Sequence, residues 1–330
     1  MHIYALYLLH AQTSDYFLFE RDSIMKKFLA MMMAVLMIVG ACATLASCSG
    51  GKDAVKVIDI GLTEEEYAFA VAKGNSDLLA KLNSFLAEIK GNGTFDEIMN
   101  KYFGDGEPSA VKSAAEMKKD GSQLIVATNA AFEPFEYKEG ENYYGIDMEI
   151  MDLFAKKLGK ELYIYDMAFD AVCLAVSTEG GSYEETDDDG NVTGTTSVEG
   201  GICDIAAAGL TVNEKRKEIL DFSEAYYDAA QMLIVAADDT TFDECETSED
   251  VAKILAELGK DVKVGVQNGT TGKLYCEGDV DFEFEGYAFT TVGYDNGALA
   301  VQNIINGNVK YVVIDEGPAK AIVAKINEAN

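Results

Sequence analysis

Histidine is nearly missing from this chain of 330 residues: His2 and His10 are the only two, and both fall within the first ten positions. Histidine is the usual general base and the commonest metal ligand, so the rest of the chain lacks Ser-His-Asp and Cys-His catalysis and most zinc sites. The cysteines Cys173, Cys203, Cys245 and Cys276 form no C-x-x-C pair, which speaks against a zinc or redox centre. In an exported chain Cys173–Cys203 and Cys245–Cys276 are conceivable disulfides; four buried free thiols are the preferred reading. Positive charge is scarce too, with 26 Lys and Arg against 57 Asp and Glu and a formal net charge of −31. Such a surface repels nucleic acid and anionic membrane, and it fits solubility outside the cell.

What is present begins with an export signal. Met25-Lys26-Lys27 is a basic start, an apolar run covers 28–41, and Leu45-Ala46-Ser47-Cys48 follows. That layout is a secretory signal, and its apolar run is short of the roughly 20 residues that a membrane helix needs. The Leu-Ala-Ser-Cys ending resembles the lipobox of bacterial lipoproteins, which implies cleavage before Cys48 and a lipid on its thiol. The expected location is therefore extracytoplasmic, anchored to the bacterial cell membrane. Residues 1–24 carry no export logic, and Met25 is the better start.

Periodicity predicts a short strand at 67–71, a turn at Lys73-Gly74-Asn75, and a helix over 77–90 with Leu78, Leu82, Phe85, Leu86 and Ile89 on one stripe. A second helix is expected from Thr94, with Glu97 completing a capping box and Gly104 ending it. One strand and two amphipathic helices cannot bury their own apolar faces, so this unit docks on something larger. From Gln123 onward, strands and helices alternate to the end of the chain, which predicts mainly parallel sheets with ligands at the strands' carboxyl ends. Residues 177–201, "STEGGSYEETDDDGNVTGTTSVEGG", interrupt the rhythm and are expected to form an exposed hairpin or loose insertion, dispensable for binding. Glu185, Asp187 and Asp189 ahead of Gly190 have a calcium-loop flavour, but Thr196 stands where the closing Glu belongs.

Five stretches then carry a resemblance: "LIVATNAAFEPFEY" (124–137), "YGIDMEIMDLFAKKLGKEL" (144–162), "DIAAAGLTVNEKRKEILDFSEAYYDAAQ" (204–231), "VGVQNGTTG" (264–272) and "VVIDEGPAKA" (312–321). Together they resemble the polar amino-acid-binding proteins of ABC importers. The resemblance implies an α/β, two-lobed type II periplasmic-binding fold with two mixed, mainly parallel sheets and a two-crossing hinge. One departure stands out. In that family a segment like 55–104 ends the chain, whereas here it comes first, so the sequence looks circularly permuted. The expected organisation is an upstream extension and signal at 1–47 and an anchor linker at 48–54. Lobe II takes 55–62 and 231–330, the hinge crossings are 63–67 and 226–230, and lobe I takes 68–104 and 122–225 with the 177–201 insertion. A permutation linker, 105–121, joins the old ends. Termini that lie close together on a surface make such a rearrangement tolerable.

A free amino acid offers a carboxylate, an ammonium and a side chain. At positions matching the family, the planar fork of Arg216 suits the carboxylate, and the 209–211 loop can add backbone N–H donors. The resemblance assigns the ammonium to Asp315, the Gly209 carbonyl and the Thr211 hydroxyl. Phe132 and Phe169 would flank the ligand side chain, with Asn129, Gln267, Thr270 and Thr271 as uncharged pocket groups. These residue types favour a neutral polar amino acid, and Glu133 nearby leaves a basic one open. No cofactor is implied. The mechanism implied is closure of a monomer around its ligand, followed by recognition by an ABC permease. Two rivals come from other classes: a dehydratase of cyclic carboxylic acids on the same fold, and a ligand-sensing module.

Overall fold

The computed structural model describes residues 53–279 and 284–329. Cys48, the signal and most of the anchor linker lie outside the described residues. Among the described residues no helix is long and apolar enough to cross a membrane.

Two five-stranded sheets organise the molecule. The first runs in the order Val55–Ile58, Gln231–Ala236, Tyr311–Asp315, Lys263–Gln267, Thr290–Tyr294; the second runs Leu220–Phe222, Ala70–Ala72, Ile205–Ala206, Gln123–Thr128, Glu161–Asp166. The expected parallel majority is only half present. In each sheet two neighbouring pairs are parallel and two antiparallel. The reason is connectivity: strands joined through helices come back parallel, whereas Ala70–Ala72 and Gln231–Ala236 arrive from the other lobe with no helical crossover and enter antiparallel. The inner strands Gln123–Thr128, Gln231–Ala236 and Tyr311–Asp315 are buried almost throughout, because helices cover both faces.

Between the sheets the chain crosses twice. Glu65–Tyr67 and Tyr227–Ala229 pair antiparallel as a two-stranded ribbon, Tyr67 opposite Tyr227. The single strand expected at 67–71 is thus split in two, because Tyr67 belongs to the ribbon and Ala70–Ala72 to the second sheet. The helix Ser76–Gly91 is capped by Asn75 and buries Leu82, Phe85, Leu86 and Ile89. The next helix, Thr94–Phe103, buries Phe95 and Ile98, and its cap differs from the capping box expected at Thr94 and Glu97. Gly93 holds the cap position at φ 85°, and the Asn92 side chain accepts the Thr94 N–H at 3.0 Å. A left-handed cap favours glycine, so with Gly93 as the cap the helix starts one residue earlier than a Thr94 cap would require.

The segment that follows is not a free tether. The main chain of Val111 exchanges two hydrogen bonds with that of Tyr143, at 2.8 and 2.9 Å, and Glu149 accepts from Ser109 N–H, Tyr102 Oη and Lys101 Nζ. At the far end of the sequence, Asn327 on the helix Glu316–Ala329 accepts from Ala54 N–H at 2.9 Å and donates to Val55 O at 2.9 Å. The first and last described segments therefore share one sheet edge.

Residues 177–201 contain a hairpin, Gly181–Thr186 paired with Val192–Val198, but it is not loose. Asp187 organises its turn by accepting from the main chain of Asp189 and Asn191. The turn is seated on the first sheet's side of the molecule, with Asn303 Nδ2 donating to Asp188 O at 3.0 Å. Composition showed an excursion without an apolar stripe; it could not show that polar tip groups find partners on the other lobe. All four described cysteines are free thiols.

Candidate functional site

The loop from Gly209 to Asn213 leaves the second sheet after Ile205–Ala206 and enters the short helix Glu214–Lys217. Asn213 caps that helix by accepting the Arg216 N–H at 2.8 Å. The cap aims Arg216 back under its own loop. Arg216 as a residue is 8% exposed; its guanidinium donates from Nη1 to Thr211 O at 2.7 Å and from Nη2, across to the other lobe, to Gly269 O at 3.1 Å. The Phe169 ring lies 5.5 Å from the guanidinium carbon. A guanidinium carries more N–H donors than these two bonds use, so the fork keeps capacity for a carboxylate.

Gly209 sits at φ +52°, and a Cβ there would come within 2.9 Å of the Phe132 ring. The close approach of backbone to ring requires glycine. Its N–H is already used, donating to Asp147 Oδ2 at 3.0 Å. Of the backbone donors expected in this loop, that one is therefore spoken for.

Asp315 ends its strand on the opposite lobe and is 3% exposed. It accepts the Tyr67 hydroxyl at 2.5 Å. Burial first, and the charge of Glu65 second, push its carboxyl up to about 7, against the opposing hydrogen bonds from Tyr67 and Gln231. Behind Gly209, buried Asp147 is likewise pushed up to about 7 by burial, while Gly209 N–H and Tyr226 Oη hold it down. Glu136 is fully buried with neither carboxyl oxygen hydrogen-bonded, and burial keeps it neutral well above the ordinary carboxylate range.

The pocket groups meet across the cleft. Gln267 Nε2 donates to Asn129 Oδ1 at 3.1 Å, and Asn129 Nδ2 donates to Met167 O at 2.8 Å. Thr270 is used locally: it caps the helix Thr271–Glu277 and donates to Gln267 O at 2.7 Å. Glu133 is engaged on the outside by an ion pair with Lys325, so it is not free to meet a ligand. A cleft of about 1410 Å³ is lined by Thr211 and Thr271 but by none of the other predicted site residues. Those residues close on one another behind it.

Four groups escaped sequence reasoning: Glu65, Tyr67, Gln231 and Asp147. Glu65 accepts hydrogen bonds from three hydroxyls, Thr63 at 2.7 Å, Thr211 at 2.6 Å and Thr271 at 2.7 Å. Gln231 Nε2 donates to Thr271 Oγ1 at 3.1 Å. No sequence signal pointed to them: that Glu65 and Tyr67 face in and Glu66 faces out follows only once 65–67 is paired as a strand.

The family comparison agrees with this architecture. The model of the bacterial extracellular solute-binding proteins, family 3, matches residues 8–105, 124–180 and 186–310. The chain belongs to that family, and its fold is the two-lobed type II periplasmic-binding fold. It is similar to the arginine-binding extracellular protein ArtP of Bacillus subtilis, 32% identical over 35% of this chain and 37% of the relative. It is also similar to a probable histidine-binding protein of Neisseria gonorrhoeae, 24% identical over 64% of each chain. The matched region thus spans less than two thirds of these relatives. Among solved structures, the arginine-bound form of truncated ArgBP from T. maritima is 29% identical, covering 62% of this chain and 78% of that one at a TM-score of 0.45. The family is one of amino-acid-binding proteins.

Proposed function

We propose that this protein captures a free α-amino acid between its lobes and presents the closed, loaded form to an ABC permease, held at the membrane by a lipid on Cys48. The observation that carries this is the buried pair of opposite charges on opposite lobes, Arg216 for the carboxylate and Asp315 for the ammonium. Phe132 and Phe169 flank the side chain. The uncharged Asn129–Gln267 pair, with Glu133 occupied by Lys325, supports a neutral polar side chain. A basic side chain is the second reading, favoured by the arginine and histidine named for the relatives. Binding occurs without turnover, and a turnover assay on cyclic carboxylic acids tests the rival dehydratase reading. The protein acts as a monomer.

The same reading includes a permuted chain order: lobe II from 55–62 and 231–330, lobe I from 68–104 and 122–225, hinge crossings at 63–67 and 226–230, and a joining linker at 105–121. The unmatched stretch between 105 and 124 in the family comparison supports that linker.

The direct experiment is a thermal-shift screen of the protein from residue 49 onward against the twenty amino acids. Ligand held by the folded state alone raises apparent stability by about 2.7 kcal/mol at a hundredfold excess over Kd. A rise with one or a few amino acids is expected, largest for neutral polar ones. No rise with any amino acid overturns the reading.

A pH dependence accompanies it. An ammonium binds the ionised Asp315, whereas burial keeps that carboxyl half protonated at about 7. Binding therefore releases a proton at neutral pH. Affinity should fall by up to about tenfold per pH unit below that value and level off above it. Calorimetry from acid to mildly alkaline buffers checks this, and flat affinity throughout would count against Asp315 as the ammonium partner.

A further inference from the structure

Thr211 and Thr271 come from opposite lobes, yet both hydroxyl protons are drawn to the same oxygen, Glu65 Oε2, at 2.6 and 2.7 Å. The two hydroxyl oxygens stand 3.4 Å apart. A hydroxyl has one proton and two lone pairs, so each threonine that gives its proton to Glu65 can only accept from anything else in the cleft. Gln231 already donates to Thr271 at 3.1 Å, consistent with that polarity. Glu65 is 7% exposed and lies on the ribbon between the lobes, where its other oxygen is occupied by Thr63 at 2.7 Å.

We propose that Glu65 is a specificity-determining residue: by taking both threonine protons it makes this end of the cleft accept only a hydrogen-bond donor, so that an ammonium is admitted and a group with no donor is refused. This rests on the amino-acid-binding reading and deepens it. Asp315 is faced by Glu65 and Tyr67 from the ribbon, Gln231 from the neighbouring strand and Glu136 from beneath. Glu65 thus acts a second time, as a negative charge that holds the Asp315 proton on.

The test is Glu65→Gln, which keeps the shape but removes the charge and one of the two acceptor oxygens, so that the hydroxyl protons of Thr63, Thr211 and Thr271 compete for a single, weaker acceptor and the pull on the cleft threonines is relaxed. The probes are L-glutamine, L-arginine and L-histidine, each paired with its deaminated analogue (4-carbamoylbutanoate, 5-guanidinopentanoate and imidazolepropionate). The unaltered protein should prefer the amino acid of the bound pair at least a hundredfold. In Glu65→Gln that preference should shrink at least tenfold, and the midpoint of the pH profile should move below about 7. A merely structural role would lower thermal stability and both affinities together, leaving preference and midpoint in place; that outcome overturns the proposal. Loss of folding in Glu65→Gln is met by Thr271→Val, which removes one oriented hydroxyl and should also shrink the preference. No binding of any probe by the unaltered protein would sink the amino-acid reading and this proposal with it.

A separate observation carries a second inference. The hairpin Gly181–Val198 leaves and re-enters the lobe of the second sheet, yet its turn is seated on the other lobe. Thr186 Oγ1 donates to Asp295 Oδ1 at 2.8 Å and accepts from Asn268 Nδ2 at 3.1 Å; Asn308 Nδ2 reaches Asp189 Oδ1 at 3.3 Å. Asn303, 1% exposed, binds Asp188 O. A Cβ on Gly190, at φ +82°, would come within 2.4 Å of Val292 Cγ1. We infer that the hairpin is a latch that must unseat before the lobes part. Gly190→Val should lift the tip, raise the ligand off-rate about tenfold and leave the on-rate within about twofold. Small-angle scattering of the ligand-free variant should show a larger radius of gyration, a reading that needs no ligand. Unchanged scattering and off-rate in the folded variant would overturn the latch.

Discussion

Arg216→Ala should abolish amino-acid binding while leaving the fold intact. Truncating one partner of a buried, charge-assisted pair costs roughly 2–5 kcal/mol, or roughly 30-fold to several thousandfold in affinity. The fold should survive because the hydrogen bonds of the Arg216 guanidinium go to backbone carbonyls, Thr211 O and Gly269 O, and its helix is capped through its main chain by Asn213. Arg216→Lys sharpens the test. An ammonium keeps the charge but loses the planar fork and the stacking on Phe169, so a loss nearly as large is expected. Calorimetry gives the affinities and thermal unfolding checks the fold. Unchanged affinity in the alanine variant would remove Arg216 from the site.

The second large effect concerns chain order. Deleting residues 53–104 should leave a product that does not fold, whereas moving them behind Asn330 and omitting 105–121 should give a protein that binds the same ligand. The deleted segment supplies the edge strand Val55–Ile58, one half of the ribbon, and Ala70–Ala72, which sits between two strands of the second sheet. It also supplies Phe69, Leu82, Phe85, Leu86, Ile89, Phe95 and Ile98, all buried in one cluster with Phe154 and Ile150. At roughly 1.5–3 kcal/mol for each large side chain, their loss is comparable to the whole stability of a typical domain, about 5–15 kcal/mol. Relocation should succeed because Asn327 already touches Ala54 and Val55, so a short connection closes the new order. Circular dichroism and calorimetry on both proteins decide the matter. A folded, ligand-binding 122–330 fragment would overturn the proposed order.

Local spacing was enough to locate most helices and inner strands and the faces they bury, though not the split of 67–71 or the Gly93 cap. The stripe Leu82, Phe85, Leu86, Ile89 is buried where helical spacing put it, and the apolar run in 231–236 became an inner strand, because residues a few positions apart settle both properties. The Gly209, Thr211 and Arg216 motif was singled out by its resemblance to the family, since local features alone would leave Arg216 as a solvated helix charge. The tertiary structure decided which groups meet over long separations. No local pattern tells which of three consecutive glutamates, Glu64, Glu65 or Glu66, accepts from threonines 146 and 206 residues away. Nor could composition reveal that Thr270 would be used as a helix cap, or that a polar, glycine-rich hairpin would be seated on the opposite lobe. The reason is that hydrogen-bonding side chains carry no periodic signature of their partners. Their pairing is set by how two separately folded sheets come to face each other, and only the packed molecule contains that information.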